Sequence, residues 1–358
     1  MRFAIVGAGV IGKVHARLIS TIPEAAELVA VVDTDLARAE AVAGEFCGEA
    51  MSDLRAACAR DDVDAVSICL PSGLHAGAAV EALHAGKHVL VEKPLDVTLA
   101  EADRIIAAER ETGLTVGVIS QRRFQKAPAF VRRAIAEGRL GRLTSGIAES
   151  TFWRSQEYYD SGGWRGTPAL DGGGALMNQG IHAVDLLIWM MGRPVEVQAY
   201  SALLAHERIE VEDTVAATVR FEGGAIGTIT AATSAYPGLS VRVAVHKDRG
   251  SAVIDREDLA YFHTRDDEQP GDHPEHNQAV PLGGPTGQQS IEEAHRDQYL
   301  DFISAVREGR PPAVGTGDAR LALKLVLGVD ESARTGRPVQ LGEPARPGEP
   351  ARPGEGEN

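Results

Sequence analysis

The run Phe3-Ala4-Ile5-Val6 leads directly into Gly7-Ala8-Gly9-Val10-Ile11-Gly12, and residues Val14 to Thr21 then show helical periodicity. A GxGxxG pattern is weak evidence alone. Between a strand and a helix it demands a tight strand–turn–helix unit of the doubly wound kind. Gly7 permits the turn, Gly9 lets a pyrophosphate approach the backbone, and Gly12 lets helix and strand pack closely. The helix N-terminus, with Val10 and Ile11, then offers backbone N–H groups to an anion. Asp33 ends the second apolar run, 21 positions after Gly12. There a carboxylate accepts from an adenosine ribose diol and repels a 2′-phosphate. Thr34 and Asp35 bring no arginine to reverse that, so the pattern points to NAD, with NADP disfavoured.

Further apolar runs support the same unit. They are Leu28–Val32, Ala65–Leu70, His88–Val91 and Leu114–Val118, with helical stretches such as Ala76–Ala85 and Leu99–Glu111 between them. Runs apolar throughout, alternating with helices, predict a parallel sheet covered on both faces. This α/β domain is expected over residues 1–120. From 121 to 340 the pattern changes to a helix near Ala127–Glu137 and strand-like segments. These are Leu143–Phe152, Val195–Ser201, Thr214–Phe221, Ala225–Thr233, Val241–Val245 and Ala252–Ile254. Helices follow near Ser290–Glu308 and Asp318–Thr335. Gly223-Gly224 is a hairpin signal. The second domain is therefore expected to be α+β, with a large, mostly antiparallel open sheet. Residues 264–289 are polar and rich in Gly, Pro and His and read as a surface loop. The twice-repeated GEPARP predicts a disordered tail over 341–358.

The chain's 358 residues and 44% hydrophobic content suit two globular domains. A net charge of −15 argues against nucleic acid and anionic membranes as partners. Cys47, Cys58 and Cys69 lack metal or redox spacing, and the N-terminus lacks a signal-peptide pattern, so a cytoplasmic setting is expected. His263, His273, His276 and His295 match no ligand frame, and no metal is expected.

Two further elements carry chemistry. Glu92-Lys93-Pro94 follows the fourth apolar run, at the strand end that faces a ligand crevice in such sheets. There a lysine can hold a substrate hydroxyl or exchange a proton. The second element runs from Leu170-Asp171-Gly172-Gly173-Gly174 into an apolar helix carrying Asn178 and His182 at i,i+4, hence on one face. Asp185, three residues on, is placed to orient the imidazole. His182 suits proton transfer near neutral pH.

With these residues in view, the chain resembles the Gfo/Idh/MocA oxidoreductases, which include glucose–fructose oxidoreductases and inositol dehydrogenases. The likeness lies in GAGVIGKVHA at 7–16, LPSGLHAGAAVEALHAGKHVLVEKPL at 70–95 and WRGTPALDGGGALMNQGIHAVDLLIWMMG at 164–192. It implies NAD-dependent hydride transfer to or from a sugar, inositol or related polyol. It also implies a homodimer or homotetramer formed through the second domain's sheet. Carried over by position, it implies catalytic roles for Lys93 and His182. Gly7, Gly9, Gly12, Asp33, Leu70, Pro71, His75 and Glu92 would line the nucleotide cleft. Trp164 and Arg165 would touch cofactor and substrate. Gln121 would reach the cofactor, Arg122 and Arg123 the substrate, and Asn178 a substrate hydroxyl. Many inositol-type members carry Asp where Asn178 stands, and an amide cannot shuttle a proton. A glycoside hydrolase that uses NAD transiently and a non-catalytic dinucleotide sensor stay open beside the dehydrogenase reading.

Overall fold

The structure, a computed structural model, describes residues 1–239, 241–265 and 290–342. In the N-terminal part, β1 (Arg2–Val6), β2 (Glu27–Val32), β3 (Glu49–Met51), β4 (Ala65–Ile68), β5 (His88–Val91) and β6 (Val116–Val118) alternate with helices. The helices are α1 (Val10–Ser20), α2 (Leu36–Phe46), α3 (Leu54–Cys58), α4 (His75–His84) and α5 (Leu99–Thr112). All strand pairs are parallel, in the order β3-β2-β1-β4-β5-β6. This is the doubly wound order, with its switch point between β1 and β4. The central strands are buried on both faces: β4 is buried at every residue, and β1 at all but Arg2. That is why their sequences are apolar runs and not alternating ones. Strand β3 has only three residues, none fully buried, and escaped the sequence pattern.

The second part contains α6 (Lys126–Ala136), β7 (Leu143–Thr151), α7 (Gln156–Asp160), a π-helical turn (Ala175–Gly180) and α8 (Ile181–Met191). It continues through β8 (Pro194–Ala202), β9 (Thr214–Phe221), β10 (Ile226–Ala232), β11 (Val241–Lys247), β12 (Gly250–Asp255) and β13 (Asp258–Thr264). It closes with α9 (Ile291–Glu308), α10 (Thr316–Thr335) and β14 (Val339–Gln340). The sheet runs β13-β12-β11-β7-β10-β9-β8-β14, and only the β7–β10 pair is parallel. Helices α8 and α10 cover one face. Residues of β9 and β10 alternate buried and exposed, as a one-sided sheet requires. Gly224, with φ +83°, turns the hairpin between them.

Three expectations are corrected. Strands β13 and β14 are additions, the first with polar residues interspersed and the second only two residues long. The glycine-led helix opens as a wide π turn at Ala175–Gly180, and its α geometry begins only at Ile181. Leu341, expected to begin the tail, is instead buried, and its N–H donates to the Val195 carbonyl at 2.7 Å. Residues 343–358, most of the 264–289 loop, His273 and His276 lie outside the described residues.

Helix α9, capped by the reciprocal Ser290–Glu293 pair, packs on the first sheet. Its Tyr299 and Phe302 are fully buried in one cluster with Phe3, Ile5 and Leu90. Gln298 bonds the Ser120 N–H and the Val118 carbonyl. Residues 1–120 expressed alone should therefore lack a closed core and give a collapsed amide NMR spectrum; a well-dispersed spectrum would contradict this. In the full chain, Phe302→Ala should cost about 3–5 kcal/mol in urea unfolding.

Candidate functional site

The glycine-rich turn lies at the carboxyl ends of β1 and β4. A Cβ on Gly12 would fall 1.8 Å from the Gly7 carbonyl oxygen, and one on Gly7 would fall 2.5 Å from the Cys69 carbonyl oxygen. Both glycines are thus needed by the protein's own backbone. A Cβ on Gly9 would meet no protein atom within 4 Å. No side chain caps α1, and Val10 at its first turn is 84% exposed. Open space before an uncapped helix N-terminus fits a phosphate-bearing group. Asp33 stands beside it, accepting from the Ala8 N–H at 2.8 Å and the Asp35 N–H at 2.9 Å. Leu70 lies next to Gly7, and Pro71 follows it half-buried. Gln121 is buried, and its Oε1 has no partner among the described residues.

Lys93 leaves β5 on the same side of the sheet. Its Nζ donates to the backbone carbonyl of Asn178 at 2.9 Å, joining the first domain to the π turn. Lys93 and His182 line one cavity with Leu95, Val118, Ile119 and Ile181. Burial in these apolar surroundings lowers the Lys93 pKa, while Glu92 and Asp171 work to restore it. Burial, then the charges of Lys93 and Arg122, pushes His182 well below 6.5, so its ring is neutral at physiological pH. That ring has no hydrogen-bond partner among the described residues.

Glycine-loop geometry brings in two carboxylates that sequence reasoning missed. Asp171, buried, accepts from the Asn178 side-chain amide at 2.6 Å and the Gly166 N–H at 2.8 Å. Glu212 accepts from the Gly174 and Leu176 N–H groups, holding the entrance of the π turn. Trp164 and Arg165 sit beside this network. The Arg165 guanidinium lies over the Trp164 and Tyr158 rings and donates to the Tyr158 hydroxyl at 2.6 Å.

Other assignments change. Asp185 does not orient His182: it binds Arg123 through Nε at 2.8 Å and Nη2 at 2.6 Å, and accepts from the Ser120 hydroxyl. Arg123 is itself buried between Asp185 and Asp318, which withdraws it from substrate. A buried guanidinium needs a carboxylate more than an imidazole needs orientation. His75 is 1% exposed, its nitrogens engaged with the Leu70 and Pro94 carbonyls, so it ties two loops together behind the cleft.

A second buried network surrounds Glu92. Burial works to raise its carboxyl, but the hydrogen bond and charge of His15 and the charge of Lys93 hold it at about 2. His15 also contacts Ser67 and Tyr299. His15, Glu92 and His295 place three ligand atoms within 4.8 Å of one another. His15 and Glu92 already bond each other at 3.1 Å, and burial pushes His295 down to about 4.

Residues 1–120 match the oxidoreductase family with an NAD-binding Rossmann fold, and 129–253 match the GFO/IDH/MocA C-terminal domain. The chain belongs to the Gfo/Idh/MocA oxidoreductases. The WlbA dehydrogenase from Bordetella pertussis, solved with NADH and UDP-GlcNAcA, is 31% identical. It superposes with a TM-score of 0.83 over 96% of this chain and 99% of that one. A 4-carboxy-2-hydroxymuconate-6-semialdehyde dehydrogenase from a Sphingobium species is 29% identical over 313 residues, 87% of this chain and 92% of that protein. A myo-inositol 2-dehydrogenase from Thermotoga maritima is 29% identical, covering 95% and 98%. Among the described residues, no helix of this family member is long and apolar enough to cross a membrane.

Two predictions follow from the cradle and the buried ion pair. Gly9→Ala should unfold within about 0.5 kcal/mol of wild type yet bind NADH more weakly, whereas Gly12→Ala should lose stability as well. Calorimetric titration with NADH, paired with urea melts, separates the two. Asp185→Asn should cost about 3–5 kcal/mol through the stranded Arg123, again read by urea unfolding.

Proposed function

We propose that this oxidoreductase uses NAD to move a hydride to or from the secondary alcohol or ketone carbon of a sugar, inositol or related polyol. The observation that carries this reading is the pairing of a half-buried Lys93 ammonium with the neutral His182 ring, which has no hydrogen-bond partner among the described residues. The pair lies beside a glycine cradle at the strand carboxyl ends. Gly7, Gly9, Val10, Ile11 and Gly12 would hold the pyrophosphate, and Asp33 the adenosine ribose. Leu70, Pro71 and Gln121 would flank the nicotinamide half, with Trp164 and Arg165 closing over it. When bound, NAD supplies the hydride acceptor. The similarity to a myo-inositol 2-dehydrogenase and to a dehydrogenase solved with UDP-GlcNAcA supports a polyol or sugar substrate.

In the oxidative direction a ring nitrogen of His182 takes the proton of the substrate hydroxyl. Burial, joined by the Lys93 and Arg122 charges, keeps that nitrogen free beforehand. The Lys93 Nζ donates to the same oxygen and stabilises its developing negative charge. Asn178, fixed by Asp171, offers its amide to a neighbouring hydroxyl without titrating. Leu95, Val118, Ile119 and Ile181 give the cavity behind the pair a largely apolar wall.

The exposed face of the second sheet, which includes Tyr200 and Ile226, supports contacts between copies in a homodimer or homotetramer. Three unpaired cysteines support a reducing, cytoplasmic setting.

A panel of sugars, inositols and nucleotide sugars, read by NADH absorbance, tests the assignment; absence of turnover with all of them would refute it. On the substrate found, kcat/KM should favour NAD over NADP, and Asp33→Ala should narrow the gap. His182→Ala should lose roughly 10²–10⁴ in kcat, and Lys93→Met at least as much. The oxidation rate should hold as pH falls through 6.5, because His182 stays neutral there.

A further inference from the structure

Adjacent arginines in this chain are buried alike but neutralised differently. Arg123, 6% exposed, has two carboxylate partners. Arg122, 8% exposed, has none among the described residues. Its Nε is buried without a hydrogen-bond partner, and its Nη1 reaches only the Arg256 carbonyl, at 3.4 Å. A guanidinium carries five donors and loses its hydration on burial, so such an arrangement is costly unless acceptors arrive from elsewhere.

Arg122 faces a pocket of about 350 Å³ that it shares with Arg154, Arg256, Phe152, Trp153 and Glu257. Arg154 spends its Nη groups on the Trp153 carbonyl and the Gln179 amide oxygen, and its Nε too is buried without a partner. Arg256 donates to the Leu239 carbonyl. No described carboxylate lies within ion-pair distance of any of the three. Glu257, whose charge acts on Arg122, is the one acid in the lining, which leaves the pocket with an excess of two positive charges. In a chain of net charge −15, that concentration of unpaired cations opposes the overall field.

The pocket adjoins the reacting pair. The Arg122 charge acts on His182, the Arg154 charge on Lys93, and Gln179, which holds Arg154, follows Asn178 in the chain. We infer that Arg122, Arg154 and Arg256 form an oxyanion subsite, and that the substrate presented to Lys93 and His182 carries a carboxylate or a phosphate. The forked donors of arginine match either group, and Phe152 and Trp153 give the intervening carbon skeleton an apolar wall. The subsite rests on the proposed hydride-transfer reading only for what happens to the substrate after it binds.

The test titrates the NADH-bound protein with D-glucose, D-glucuronate and D-glucose 6-phosphate, using calorimetry and tryptophan fluorescence, since Trp153 lines the pocket. At least one acid should bind about tenfold or more tightly than glucose, as charge-assisted hydrogen bonds require. The tighter of the two acids tells carboxylate from phosphate. Arg122→Gln should erase most of that preference. Arg256→Gln, at an exposed position where folding is not at stake, should reduce it by a smaller factor. Equal binding of all three probes, no binding of any, or a preference that survives both substitutions would overturn the subsite. Acid-selective binding with no NADH formed from any alcohol would instead refute the dehydrogenase reading and leave the subsite standing. Turnover of neutral sugars without acid preference would do the reverse.

Discussion

An ammonium ion drawn partly out of water must find an acceptor, and Lys93 finds its acceptor across the domain boundary, at the carbonyl of Asn178. The rest of the site is arranged around that contact. Glu92 precedes the lysine and Asp171 stands behind Asn178, so negative charge lies on both sides of it. The π turn that presents Asn178 is held at its entrance by Glu212. The wider turn is a known device for aiming backbone groups at functional positions. The two domains therefore meet through a polar link at the chemistry and through an apolar one at α9, whose Tyr299 and Phe302 close the first sheet.

The division of labour among the glycines follows the same logic. Gly7 and Gly12 are required by contacts that the backbone makes with itself, whatever binds there. A side chain on Gly9 would meet no protein atom, so at the uncapped start of α1 a glycine there is explained by a group that binds against it. The arginines divide in a similar way: among the described residues Arg123 is satisfied internally and Arg122 is not.

Much of the fold was legible because period and apolarity report burial. Two-sided burial made β1, β2, β4 and β5 readable as apolar runs, and one-sided burial made β9 and β10 readable by alternation. Strands β3 and β14 are too short to carry a period, and β13 mixes polar residues into its pattern. Helix α9 was legible as a helix, but periodicity names the buried face and not the surface that buries it. In the site, the glycine turn was legible from its strand–helix context, whereas Lys93 and His182 stood out only through the motifs that carry the family resemblance. Asp185 could not, since helical spacing reports neighbours on the same helix, and its true partner, Arg123, enters from another segment. Asp171 and Glu212 gave no signal, because carboxylates that bind backbone N–H groups in irregular turns have no characteristic spacing.

The central claim is that Lys93 stays cationic beside a His182 ring that burial and that lysine charge hold neutral. Nitrogen-detected NMR of the His182 ring, titrated in wild type and in Lys93→Met, tests it most directly. The account predicts a wild-type pKa well below 6.5 and a higher one once the neighbouring charge is removed. A wild-type ring that titrates at or above 6.5, or a value unmoved by Lys93→Met, would contradict it.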